Sequence, residues 1–211
     1  MRSRTVRTLA VVLGLAPAAV AWKRADDSIL SLRPGSRVWI EGTSTVRAFR
    51  CTADSVEARV VSTGRDAVSA VMAGAKAVLS AELRVPAARL ECRNGTMNAH
   101  MLKALKAAEH PDITFTVSSY ELGKRGDAAE GSATGELTLG GVRKTITVVG
   151  AVTARPDGAL RIVGTHELRM TEFGLKPPSL MMGTMKVREL VVVGFDLLLQ
   201  DAVDGIAASA R

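Results

Sequence analysis

Three histidines, two cysteines and a methionine-dense stretch are the places where this chain could do chemistry. His100, His110 and His166 show no zinc spacing: the first two lie ten residues apart, and no HxxxH or CxxC occurs. They read as solvated or core histidines. No GxSxG, P-loop or GxGxxG is present, and the acids are scattered over alternating polar stretches. The reading is therefore of a protein that is not an enzyme, with no catalytic residue, metal ligand or cofactor to nominate. Asn94-Gly95-Thr96 matches a glycosylation sequon, but a turn followed by a helix cap explains these residues better.

The cysteines take their meaning from the N-terminus. Arg2, Arg4 and Arg7 precede an apolar run from Leu9 to Val20, and Ala19-Val20-Ala21 offers small residues for cleavage. That is the layout of a secretory signal peptide over residues 1–21, with periplasmic or secreted localisation. A membrane anchor is the alternative, but a span needs about 20 apolar residues and this run is shorter. In an oxidising compartment Cys51 and Cys92, the two cysteines of the chain, pair most economically as a disulfide. Two buried free thiols are the other possibility.

Met170 to Met185 reads MTEFGLKPPSLMMGTM and holds four of the eight methionines. It has no secondary-structure period, and Pro177-Pro178 makes it a rigid loop. Methionine fills irregular spaces and adapts to varied ligands. One reading is an apolar rim over a lipid cavity. The other is a loop packed on the end of the fold. A copper cluster is a third, poorly supported because no His or Cys accompanies the methionines.

The elements that must position these residues are mostly strands. The clearest is a hairpin: Leu137 and Leu139 alternate with polar residues, Gly140-Gly141 turns the chain, and Ile146 and Val148 alternate on the return. Comparable alternation marks Arg37 to Gly42, Ser55 to Val61, Leu79 to Val85, Ile113 to Val117, Leu160 to Met170 and Glu189 to Gln200. In the last, Val191, Val193, Phe195, Leu197 and Leu199 share one face. Between strands, Met97, Met101, Leu105 and Ala108 recur at helical spacing over Thr96 to Ala108, capped by the Asn94 turn and stopped by Pro111. A short helix is expected within Asp66 to Ala75. The pattern is all-β, mainly antiparallel, with eight strands and one amphipathic helix. Either a barrel or a two-sheet sandwich would use these strands.

The domain plan is then a signal peptide over residues 1–21, a flexible lead-in over 22–35, the β domain over 36–200 and a disordered tail over 201–211. The net charge of +7 falls to a modest +4 without the three leading arginines. With no Lys/Arg run interleaved with aromatics, nucleic acid is not an expected partner.

HPDITF at His110–Phe115, GELTLGGVRKTITV at Gly135–Val148 and FGLKPPSLMMGTMKV at Phe173–Val187 resemble the YceI-like domain, a family of exported polyisoprenoid-binding proteins. The similarity runs in order from about Arg37 to Gln200. It implies an eight-stranded lipocalin-like β-barrel dressed by one helix, whose apolar interior holds an isoprenoid or other long-chain lipid. Transient contact with a membrane surface is a further expectation. Many members begin with a histidine before S-x-V-x-F, where this chain has EGTSTVRAF (Glu41–Phe49). The nominated lining is Trp39, Phe49, Met101, Leu105, Phe115, Met170, Phe173, Leu180, Met181 and Met182. The competing expectation is a structural or interaction domain whose barrel is filled by its own side chains.

Overall fold

A computed structural model describes residues 27–64, 66–125, 128–180 and 184–201. The predicted signal peptide, Met181, Met182 and the tail beyond Asp201 lie outside the described residues. In chain order the elements are β1 (Asp27–Leu32), β2 (Arg37–Thr43), β3 (Ala48–Ala53), β4 (Glu57–Thr63), α1 (Ala67–Met72), β5 (Val78–Pro86), α2 (Gly95–Ala104), β6 (Asp112–Arg125), β7 (Ala128–Leu139) and β8 (Val142–Ala154). β9 (Leu160–Arg169), β10 (Ser179–Leu180), β11 (Met185–Lys186) and β12 (Leu190–Asp201) follow.

Alternation of apolar and polar residues sets every ladder, because each strand buries one face only. All pairings are antiparallel. Eight strands close a ring in the order β1-β4-β5-β6-β7-β8-β9-β12, and the pairing of β1 with β12 completes it. β2 lies against the same edge of β12 as β1, nearer its N-terminus, and carries β3 on its outer side. The barrel expected from the sequence is therefore the architecture found, and the sandwich is not.

The β7–β8 hairpin forms at Gly140 and Gly141, with φ of 56° and 83°. Both values favour glycine, and a two-residue loop of this hand matches strand twist. A Cβ on Gly141 would also strike the His110 ring, so this histidine packs against the turn.

The expected flexible lead-in over 22–35 needs correction, because residues 27–32 form β1. Leu30 is 1% exposed and helps fill the core at one barrel end. Its run is too short, and too mixed with polar residues, to stand out as a strand. The backbone then turns at Arg33–Ser36, where Ser36 Oγ accepts from Leu198 N at 3.0 Å.

Two apolar clusters lie towards the two ends. At one end α1 plugs the ring, its Ala67, Val68 and Val71 packing with Leu30, Val60, Val152, Leu160 and Leu199. At the other, Leu90, Leu105, Leu139, Met170, Phe173 and Leu175 pack together, with α2 laid beside them. α2 begins where Asn94 Oδ1 accepts from Met97 N at 2.9 Å. It ends earlier than the spacing predicts, because Lys106 adopts φ of 54° and breaks the helical run. Cys51 on β3 is bonded to Cys92 just before α2. Thr52 and Glu91 add a reciprocal pair of backbone hydrogen bonds at 3.0 and 2.9 Å. The approach to α2 is thus tied to the barrel twice. No helix among the described residues is long and apolar enough to cross a membrane.

Candidate functional site

Between the two apolar clusters lies a cavity of about 560 Å³. Its wall follows strand parity. β12 contributes Val191, Val193, Phe195, Leu197 and Leu199, and β6 contributes Ile113, Phe115 and Val117. Ala58, Ala81 and Ala133 sit at inward positions on β4, β5 and β7, where short side chains leave the centre open. Glycine widens it further. Gly164 pairs with Phe195 across β9 and β12, and a Cβ at Gly164 would meet the Phe195 ring. The ring lies flat against the wall at Gly150 and Gly164 instead of projecting to the axis.

The polar lining is concentrated at the end where the cavity opens. Ser44 and Arg47 come from the β2–β3 loop, Asn94, Thr96 and His100 from the start of α2, and Pro178, Met185 and Val187 from the segment after β9. His166 is the exception: it projects from β9 into the wall opposite Val193. No described hydrogen bond engages its ring. Glu82 also borders the cavity, on β5 beside its cross-strand neighbour Arg59. Among the described residues no group of three or more His, Cys, Asp or Glu side chains could hold a metal.

Of the nominated lining, Phe49, Met101, Leu105, Phe115 and Met170 border the cavity. Trp39 does not. Val38 and Ile40 take the inward positions of β2, so Trp39 faces out, where Arg50 stacks over it at 4.7 Å and Gly194 makes room for its indole. Parity along β2 puts Trp39 on the face opposite Val38 and Ile40. Phe173 is also misplaced: it is 2% exposed inside the closing cluster and does not border the cavity. Leu180 falls in β10, one side of a small hairpin with β11, whose pairing was not legible in a segment without a period. The sequence reading missed the inward alanines, His100 and His166. Parity pointed to the alanines, which as small residues carry no mark of their own as lining.

The outer wall is welded by charge. Asp196 on β12 accepts from Arg161 Nε at 2.8 Å and Nη2 at 2.9 Å, and from Arg37 at 3.4 Å. The hydrogen bonds from Arg161 hold the Asp196 carboxyl below the usual carboxylate range, against the opposing effect of burial. One buried acid thereby joins β9, β12 and β2 outside the cavity and leaves the interior apolar.

The YceI-like domain family model matches residues 36–199. No curated protein matches the chain by sequence. Among solved structures, Burkholderia cenocepacia BcnA superposes with a TM-score of 0.59 at 20% identity, covering 77% of this chain and 95% of its own. A polyisoprenoid binding domain from Saccharophagus degradans, implicated in plant cell wall breakdown, gives a TM-score of 0.60 at 13% identity, covering 83% and 99%. At these identities the structural matches establish the shared fold.

Proposed function

For a chain that belongs to the YceI-like domain family, we propose the role of an exported carrier that buries an apolar, polyisoprenoid-class lipid inside its barrel. The observation that carries this reading is the open interior, about 560 Å³ of space walled almost wholly by hydrocarbon. That volume falls within the range of roughly 300–1,000 Å³ typical of ligand pockets. A barrel serving only as a structural module would fill this space with its own side chains, as small barrels can.

The mechanism is transfer of hydrocarbon out of water. Each methylene buried contributes about 0.8 kcal/mol, so a long prenyl chain gains affinity from length with few polar contacts. Phe49, Met101, Leu105, Phe115 and Met170 are the nominated residues we assign to the lining, joined by the inward face of β12. The role requires no covalent step. The N-terminal arginines, apolar run and Ala19-Val20-Ala21 site support export.

The test is organic extraction of natively purified protein followed by mass spectrometry. A co-purifying prenyl lipid is expected, with a protein mass for a chain beginning at Trp22. Repeated extraction without lipid, from protein that also fails to take up added prenyl alcohol, refutes the reading.

A further inference from the structure

The rim of the cavity mouth is built from two short segments stitched together. Thr45 N donates to Lys186 O at 3.0 Å, Arg188 N to Thr43 O at 2.8 Å, and Thr45 Oγ1 to Thr184 O at 2.9 Å. Ser44 and Val187 form a further bridge. Ser44, Arg47, Met185 and Val187 border the cavity, so these segments are both its wall and its edge.

The same segments carry an excess of positive charge. Arg47, Lys186 and Arg188 are exposed, and none makes an ion pair among the described residues. Three nearby acids are already engaged. Glu41 pairs with Arg50 at 2.6 Å, and Glu189 with Arg169 at 2.8 Å. Glu91 accepts from Arg93 N and Asn98 Nδ2, both at 2.7 Å. Beside Arg47 stands Val46, 66% exposed, more than any other large hydrophobic side chain among the described residues.

A lone exposed valine is ordinary on a protein surface. One set at the tip of a cationic rim, on the edge of an apolar cavity, fits a specific surface. We infer that this rim docks on an anionic lipid bilayer, with Arg47, Lys186 and Arg188 against the headgroups and Val46 entering the interface. Charge complementarity selects the bilayer, and the apolar tip distinguishes it from a purely acidic partner. Docking there places the mouth against the membrane, the source and destination of a long-chain lipid. The purpose of the contact rests on the carrier reading, but the contact itself is measurable without any lipid in the cavity.

The experiment is flotation of the purified protein with phosphatidylcholine vesicles, with and without phosphatidylglycerol. Binding to the anionic vesicles alone, lost at high salt, is expected. Each cation near an anionic surface corresponds to roughly a fivefold change in partitioning, so reversing all three (Arg47→Glu, Lys186→Glu, Arg188→Glu) should weaken binding by at least about a hundredfold. Lys76→Glu, the same kind of reversal at an exposed residue near the α1 end, should weaken it far less. Val46→Ser, which removes the apolar tip without changing charge, should weaken vesicle binding but leave any binding to polyglutamate unchanged. Melting temperatures of all variants should match that of the parent, since these side chains are exposed. No flotation with anionic vesicles, or flotation indifferent to the rim reversals, overturns the proposal. Polyglutamate binding as tight as vesicle binding, with no effect of Val46→Ser on either, also overturns it and assigns the rim to an acidic protein. Lipid uptake without vesicle docking would leave the carrier reading standing while this inference fails.

Discussion

Removing the Cys51–Cys92 bond tests whether it acts on the unfolded chain or on the cavity mouth. The two cysteines are 41 residues apart. In the chain-entropy account, cross-linking a loop of that length destabilises the unfolded ensemble by about 4 kcal/mol. A domain of this size converts 1 kcal/mol to roughly 2–4 °C, so Cys51→Ala with Cys92→Ala should lower the melting temperature by roughly 8–16 °C. The native state is expected to change little, because the Thr52–Glu91 hydrogen bonds still hold the approach to α2. Lipid retention at a temperature well below the melt should therefore match the parent. The assays are calorimetric melting of lipid-free protein and prenyl-alcohol retention through gel filtration. A fall under about 3 °C would refute the loop-closure argument. Loss of retention with an unchanged melt would show instead that the bond positions Met97, His100 and Met101 over the cavity.

Two other perturbations separate the cavity from the scaffold. Ala133→Phe places a ring in the open interior; lipid content should fall while the lipid-free protein melts within a few degrees of the parent. A loss of about 1–3 kcal/mol in denaturant unfolding would mark the site as already packed. The Asp196 carboxyl titrates below its usual range when folded, chiefly through its bonds to Arg161. Its stabilising effect is therefore present above the unfolded value of about 3.9 and is lost as pH falls through the lower folded value. Asp196→Asn should destabilise the protein at pH 6, with the gap to the parent closing below about pH 4; a gap independent of pH would refute the assignment.

Alternation made most of the barrel legible. The inward face of β12 and the Gly140–Gly141 hairpin follow from side-chain period and turn chemistry, and both are found. Capping by Asn94 was also readable, since the oxygen it needs and the N–H it satisfies are local. β1 was not, because Leu30 becomes buried only when β4 and β12 flank it, and both lie far along the chain. The site was less legible than the fold for a related reason. Trp39 and Phe173 are large and apolar, but a cavity depends on where bulk is absent. Ala58, Ala81, Ala133, Gly150 and Gly164 create the space, and the abundance of small residues in the chain does not single these out.

The position of β12 in the ring has a kinetic consequence. This last strand pairs with β9, β2 and β1, so it is the keystone on which three neighbours depend. Leu30 meets Asp201 across almost the full length of the described chain, and such distant pairings form late because loop entropy opposes them. During vectorial synthesis or passage through a membrane, β1, β2 and β9 emerge before the strand that covers their edges. Until β12 arrives, these edges and the apolar bore are exposed together, the combination that recruits chaperones or seeds aggregation. A substitution that slows release of residues 190–201 should therefore lower yield more than its effect on the finished barrel would indicate.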